Sequence, residues 1–449
     1  MNSFPKSTAI LRENARFIPG GASSLNRVAD PNIVFVKGSG SRLYDADSNE
    51  YVDYHGAFAA QLLGYNNPEV AGAVQQVLSN GSELFGAGPT DIEGELARMI
   101  CSHVPWLEQV VFLNSGSEAT AQAIRLARAA TGRDHLIVMQ GGYNGWHNDV
   151  ACNLMTPLET LGARRSPGEY EVRPISSGIP AGHRGLIHPV NFNDADSVRW
   201  VCERYPVGAV ILEPILQNVG LIKPLPGYLE ALRALADEFG FILIFDEIKT
   251  GFRYRLGSYP NAGGVIPDLA VYGKALASGY PLAAIGGRRE LMAYFAHDDP
   301  AKRVLLAGTY NAHPAPMAAA LATIRLLARD NGAAYGHING LAGQLEAGLE
   351  EIFTSASLEG TIVRQGSAFV FYFMDHAPVD WHDLASHHDY AADRAFRRGL
   401  IENGVFVFPI ETKQCSVSVA HSVEDVDITL AAARHAVSKV LAVERVSAG

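Results

Sequence analysis

From about Asn67 to Ala315 the chain repeats one pattern, a short apolar run followed by a stretch with helical spacing. The apolar runs are Val110 to Leu113, His135 to Met139, Ala209 to Leu212, Phe241 to Phe245, Leu269 to Gly273 and Ala283 to Gly286. Runs this short and this apolar read as buried strands. Their alternation with helices predicts an α/β fold with a mostly parallel sheet and helices on both faces. Parallel strands send their carboxyl ends to one edge, where such sheets take their ligands. Asn114, Glu213, Asp246 and Lys274 each fall at or just after the end of a run.

The flanking segments follow other rules. Ile10, Leu11, Asn14, Phe17 and Ile18 keep helical spacing until Pro19-Gly20-Gly21, which predicts a short N-terminal helix packed on the main body. Ile33 to Lys37 and Arg42 to Asp45 flank Gly38-Ser39-Gly40-Ser41 as a hairpin, and Tyr51 to Tyr54 offers a third strand. The last third opens near Met317 with an Ala/Leu-rich helix. Thr361 to Arg364, Phe369 to Phe373, Val405 to Phe408 and Ser416 to Ala420 read as strands of a small α+β domain. A final helix starts near Ser422, where Ser422 and Asp425 resemble a capping box and Val426, Leu430, Ala433 and Val437 form one apolar stripe. Three segments result: residues 1–66, a large domain over 67–316, and a small C-terminal domain over 317–449. The tract Asp375 to Tyr390 is rich in His and Asp, but His382, His387 and His388 match no recognised metal-ligand spacing. It reads as a solvated, mobile insertion.

At 449 residues the chain exceeds the roughly 250–300 at which a single core stops growing. A hydrophobic share of 48% against 18% charged is that of a compact globular protein. The formal charge of -11, with no cluster of Lys and Arg, excludes nucleic acid as a main partner. No apolar stretch approaches the roughly 20 residues that span a bilayer. Lys6, Arg12, Glu13 and Arg16 interrupt any signal-peptide core, so a cytoplasmic location is expected. Cys101, Cys152, Cys202 and Cys415 are scattered without CxxC spacing and read as reduced core residues.

Four groups near the strand ends carry chemistry. Asp246 closes a run so apolar that an unpaired carboxylate would be costly there, and a protonated pyridine nitrogen would supply its partner. Lys274, in Tyr-Gly-Lys-Ala-Leu, needs a lowered pKa to attack an aldehyde as a neutral amine. Gly116 and Ser117 open a helix after a strand, where backbone N–H groups and the helix dipole favour a phosphate. Tyr143 follows the next strand and is placed to stack on a ring. Together these are the requirements of pyridoxal 5'-phosphate. Gly273-Lys274 is not a nucleotide P-loop, because that motif needs glycine at position 268 and Ser or Thr at 275, where this chain has Asp268 and Ala275.

With these residues in view, the sequence resembles the class III, fold-type I pyridoxal-phosphate aminotransferases from about Leu11 to Leu441. The blocks that carry the likeness are Asn114-Ser-Gly-Ser-Glu-Ala119, Glu213-Pro214, Leu243 through Arg253, Pro267 through Lys274, and Gly308-Thr309. The resemblance implies that Lys274 holds the cofactor as a Schiff base, that Asp246 pairs with the ring nitrogen and that Tyr143 stacks on the ring. It implies further cofactor contacts at Ser115, Gly116, Ser117, Glu213 and Ile248. Thr309 would reach the phosphate of the other subunit, so a homodimer is expected.

Within the family the motifs are similar to those of glutamate-1-semialdehyde 2,1-aminomutase. Ile18 through Arg27 matches a segment that binds the substrate carboxylate, here through Ser24 and Arg27, and Gln217-Asn218 matches a stretch whose asparagine meets the cofactor's phenolic oxygen. An internal acid is the alternative partner for Arg27. Phe58 stands in the substrate pocket where those enzymes have tryptophan. Leu305 replaces a tyrosine, Lys413 a glutamate, Asn144 the usual histidine, and Cys152 to Gly185 lacks a glycine-rich loop. The expected activity is transfer of an amino group between a carboxylate-bearing amino compound and a carbonyl acceptor. The alternatives are aminomutase isomerisation by the same chemistry, or a cofactor-binding protein without catalysis.

Overall fold

The computed structural model describes residues 4–259 and 264–447. The chain gathers into two compact units. One comprises Glu69–Ala333 with Pro378–His387, and the other Met1–Pro68, Ala334–Ala377 and His388–Gly449.

The larger unit is built on seven strands: β1 (Gln109–Leu113), β2 (His135–Met139), β3 (Ile187–Val190), β4 (Val207–Leu212), β5 (Ile242–Glu247), β6 (Leu269–Tyr272) and β7 (Ala283–Gly287). Their order across the sheet is β1-β7-β6-β5-β4-β2-β3. Only β7 runs against its neighbours. Helices cover both faces, as the alternation predicted. All six residues of β4 are buried, the pattern of a central strand with both faces covered. Strand β3 escaped the sequence reading because Pro189 interrupts it. At the sheet edge, where no neighbour requires the missing N–H, a proline is tolerated.

The two helices that matter most to the sheet edge begin and end by local rules. Helix α1 (Gly116–Thr131) starts at a capping box of Ser115 and Glu118 and stops at Gly132 in the left-handed conformation. Its buried stripe of Ala119, Ala123, Ile124 and Ala127 faces the sheet's apolar cluster. Helix α2 (Tyr228–Phe239) buries Leu229, Leu232, Leu235 and Ala236 and ends the same way at Gly240. Each buried Leu or Ile side chain among these contributes about 1.5–3 kcal/mol by leaving water.

Strand β5 is longer than its apolar letters suggest. Asp246 and Glu247 belong to it, paired with Val271 and Tyr272 of β6, rather than lying beyond its end. Successive side chains on a strand point to opposite faces. Glu247 accordingly turns away from Asp246 and accepts from Thr250 Oγ1 at 3.2 Å, Tyr259 N at 2.7 Å and Ser258 Oγ. Burial pushes its carboxyl up to about 7.

Two further expectations need correction. The helix Pro314–Ala328 lies in the larger unit, so the boundary placed after residue 316 falls after Ala333. The His/Asp-rich tract is not a solvated, mobile insertion. Trp381 is buried and its Nε1 donates to Thr156 O at 2.9 Å, Leu384 is fully buried, and Asp380 pairs with Arg164. Two apolar residues spaced i, i+3 among polar ones were enough to pack a single short helix, Trp381–His387.

In the smaller unit Phe35–Ser39, Arg42–Asp45 and Glu50–Asp53 form an antiparallel meander that Val405–Phe406 joins in parallel. Thr361–Gln365, Ala368–Tyr372 and Cys415–Ser416 make a second sheet. The N-terminal helix Pro5–Asn14 is held by Asp47, which accepts from Lys6 N at 2.7 Å and Ser7 Oγ at 2.7 Å. Phe17 lies past its end and is exposed. The final helix Val423–Ser447 starts at the expected box, with Asp425 N donating to Ser422 Oγ at 3.3 Å and Ser422 N to Asp425 Oδ2 at 2.9 Å. Cys152 and Cys415 are buried, whereas Cys101 and Cys202 are partly exposed, and all four are free thiols. Among the described residues no helix is long and apolar enough to cross a membrane.

Two measurements test this packing. A Cβ on Gly399 would lie 2.7 Å from Ala436 Cα, where two helices touch through backbone. Gly399→Ala should cost about 1–3 kcal/mol in urea denaturation. Because Glu247 holds its proton more tightly folded than unfolded, it contributes stability that is complete below the ordinary carboxylate range and fades as pH rises through about 7. Glu247→Gln removes that fade, so the stability difference between parent and variant should move in the variant's favour between pH 5 and pH 8.

Candidate active site

Strands β5 and β6 are parallel neighbours, so the residues that follow them emerge side by side at one edge of the sheet. Asp246 sits on β5 opposite Val271, and Lys274 follows β6 after Gly273. Glu213 follows β4, the next strand over, and Tyr143 follows β2 beyond it. The loop into α1 follows β1 at the same edge. Five chain segments distant in sequence thus converge because the strands are parallel.

Asp246 is 4% exposed. Its Oδ2 accepts from Asn144 Nδ2 at 2.8 Å and its Oδ1 from Ile248 N at 3.1 Å. Burial raises its pKa, opposed by these hydrogen bonds and by the charges of Lys274 and Lys249. Among the described residues no cation comes within ion-pair distance of it. A buried carboxylate of this kind is suited to a bound cationic nitrogen.

Lys274 adopts φ 44°, a left-handed backbone that costs a non-glycine residue about 1–2 kcal/mol. Such strain collects at functional sites. Desolvation lowers the pKa of its amine, with Arg253 adding to the effect and Asp246 and Glu213 opposing it. The direction of this shift is the one that a nucleophilic amine requires.

At the start of α1, Glu118 Oε2 accepts from Asn114 N at 2.8 Å and Ser115 N at 2.9 Å, and Glu118 N donates to Ser115 Oγ at 3.3 Å. Among the described residues this leaves the N–H groups of Gly116 and Ser117 without partners, two donors at the positive end of a helix. Ile248 fills the space beside this turn. A Cβ at Gly116 would stand 3.1 Å from Ile248 Cδ1, and one at Gly273 2.9 Å from the same atom.

Tyr143 is partly buried, and its N donates to Glu213 Oε1 at 3.1 Å. Gln217 N donates to Glu213 Oε2 at 3.0 Å, and Lys249 Nζ donates to Gln217 O at 2.9 Å. Glu213 therefore fastens the Tyr143 loop to the loop that carries Asn218. Its own pKa is raised, chiefly by burial. These residues fit pyridoxal phosphate: two free N–H groups for its phosphate, a buried acid for its ring nitrogen and a desolvated lysine for its aldehyde.

The substrate candidates lie elsewhere. Ser24, Arg27 and Phe58 belong to the smaller unit. Arg27 is exposed in a short turn closed by its N–H to Ser24 O at 3.0 Å. Phe58 holds φ 58° with its ring edge-on to His55 at 4.3 Å. Thr309 and Leu305 are exposed on one loop of the larger unit. Two contacts were not foreseen. Asn144 had registered only as a departure, and Thr120, whose Oγ1 donates to Asn144 O at 2.6 Å, looked like an ordinary helix residue. Nothing in their spacing links either to Asp246.

A model of the aminotransferase class-III family matches residues 24–438. A glutamate-1-semialdehyde 2,1-aminomutase 2 from Brevibacillus brevis is 36% identical over 440 residues, covering 97% of this chain and 98% of that protein. The aminomutase of Pelotomaculum thermopropionicum is 36% identical over 439 residues, covering 96% and 97%. Among solved structures, an omega-transaminase from Sphaerobacter thermophilus superposes with a TM-score of 0.87 at 29% identity, covering 97% of each chain. A beta-phenylalanine aminotransferase from Variovorax paradoxus gives 0.80 at 28%, covering 96% of this chain and 93% of that one. With its fold and nearly its full length shared with these proteins, the chain belongs to the class-III aminotransferase family.

Proposed function

We propose that this protein is a pyridoxal-phosphate-dependent aminotransferase that moves an amino group from a carboxylate-bearing amino compound to a carbonyl acceptor. The observation that carries the reading is the pairing of a desolvated Lys274 with a buried Asp246 at the ends of adjacent strands. Bound there, pyridoxal phosphate supplies a cationic ring that accepts the electron pair left when a substrate carbon loses its proton. Lys274, whose charged form burial disfavours, would hold the cofactor covalently, release it to an incoming amine and carry a proton from the substrate carbon. Asp246 would favour a proton on the ring nitrogen. Gly116 and Ser117 would hold the phosphate with Ser115 capping the turn, and Tyr143, Ile248 and Asn218 would hold the ring. Glu213 orients the Tyr143 loop.

On the same reading Ser24 and Arg27 meet the substrate carboxylate and Phe58 shapes the pocket. A homodimer is the active unit, with the exposed Thr309 contributing to the site of the partner. The isomerase reading keeps the same machinery and returns the amine to a neighbouring carbon of one molecule. It is favoured by the relatives that carry the aminomutase name. Phe58, Leu305 and Lys413 favour transfer between two molecules.

Two experiments test these assignments. Borohydride should fix the cofactor to the parent protein and not to Lys274→Ala, and Asp246→Asn should lower kcat on the order of 10²-fold. A screen of amino donors with pyruvate and 2-oxoglutarate should reveal amine exchange. Turnover of glutamate-1-semialdehyde without an acceptor, and no exchange with any 2-oxo acid, would establish the isomerase instead.

A further inference from the structure

Residues 144–146 lie against the first turn of α1. Thr120 Oγ1 donates to Asn144 O at 2.6 Å, Trp146 N donates to Ser117 Oγ at 3.3 Å, and a Cβ on Gly145 would stand only 2.9 Å from Ser117 Oγ. From this position the Asn144 side chain reaches Asp246 Oδ2 at 2.8 Å. Asn144 is 4% exposed, so solvent does not replace either contact. The line continues outward. His147 Nε2 lies 3.1 Å from Thr120 Oγ1, and its Nδ1 lies 3.6 Å from Asp149, which Arg128 of α1 holds at 2.7 Å.

We propose that Asn144 is a positioning residue for the cofactor: it aims the Asp246 carboxylate at the ring nitrogen and, through Thr120, ties that carboxylate to the helix turn that takes the phosphate. One side chain then sets the spacing between the two ends of the bound molecule. This inference rests on the function proposed above and adds a residue to it.

The chemistry of the amide suits that task. With Ile248 N on Oδ1 and Asn144 Nδ2 on Oδ2, each carboxylate oxygen has a fixed donor, and the acid cannot rotate out of line. A neutral donor orients Asp246 without offering a competing cation. The other charged or titratable groups facing Asp246 are Lys274 past β6, Lys249 past β5, Glu213 past β4 and the Tyr143 hydroxyl past β2. An amide adds no titration of its own to this set.

The test compares parent, Asn144→Ala, Asn144→Asp, Thr120→Val and Asp246→Asn, each stripped of cofactor and titrated with pyridoxal phosphate. Two quantities are read: the dissociation constant, and the pH midpoint of the bound cofactor's absorbance. Loss of one hydrogen bond to a charged group predicts about tenfold weaker binding for Asn144→Ala, with a midpoint displaced by about half a pH unit or more. Asn144→Asp keeps the size of the side chain but sets a second carboxylate against Asp246, and should weaken binding further. Thr120→Val should act in the same sense with smaller size. If Asn144→Ala and Asn144→Asp both bind within about twofold of the parent with an unmoved midpoint, while Asp246→Asn binds weakly, Asn144 has no positioning role. Unchanged behaviour of Asp246→Asn as well would instead overturn the proposed function. Thermal melting of the stripped proteins confirms that each variant is folded, and the isosteric Asn144→Asp keeps the comparison valid if the alanine variant is not.

Discussion

The parallel pairing of two neighbouring strands is the contact on which the rest of this molecule depends. With Asp246 in register with Val271, the carboxyl ends of both strands open together and bring an acid and an amine into one desolvated corner. Each is pushed toward its neutral form by burial and back toward charge by the other. Burial thus shifts the amine in the direction that a nucleophile requires. The twofold periodicity of a strand does the sorting, because it sends Glu247 to a separate set of donors and reserves Asp246 for the site.

Around that corner the chain gives up local comfort for placement. Lys274 takes a left-handed backbone, and Gly116 and Gly273 leave the room that Ile248 fills. The Tyr143 loop is tied to Glu213 on one side and, through Asn144, to Asp246 on the other. Residues 378–387, which come from the far end of the sequence, lie in the same unit, and Trp381 closes on Gly141 just before that loop. The elements that carry the chemistry are loops, but each loop is fastened to the sheet at more than one point.

The chain belongs to a family in which its similar proteins carry both transaminase and aminomutase names. Both reactions need the same lysine, acid and phosphate cradle. They differ in whether the intermediate leaves or stays. Fold and cofactor chemistry are common property, whereas the substrate is decided by pocket and loop.

Much of this was legible in the amino-acid order, because the signals are local. Apolar runs of four or five residues announced six of the seven strands, and Ser422 with Asp425 announced the last helix. Strand β3 was hidden by Pro189, which only an edge position excuses, and the short helix at Trp381 by the polar residues around its two buried ones. Folding alone decided that Asn144 and Thr120 join the site and that residues 378–387 return to the larger unit. These are pairings between residues up to a hundred or more positions apart. No periodicity records them, because they follow from which strands lie side by side and in what register.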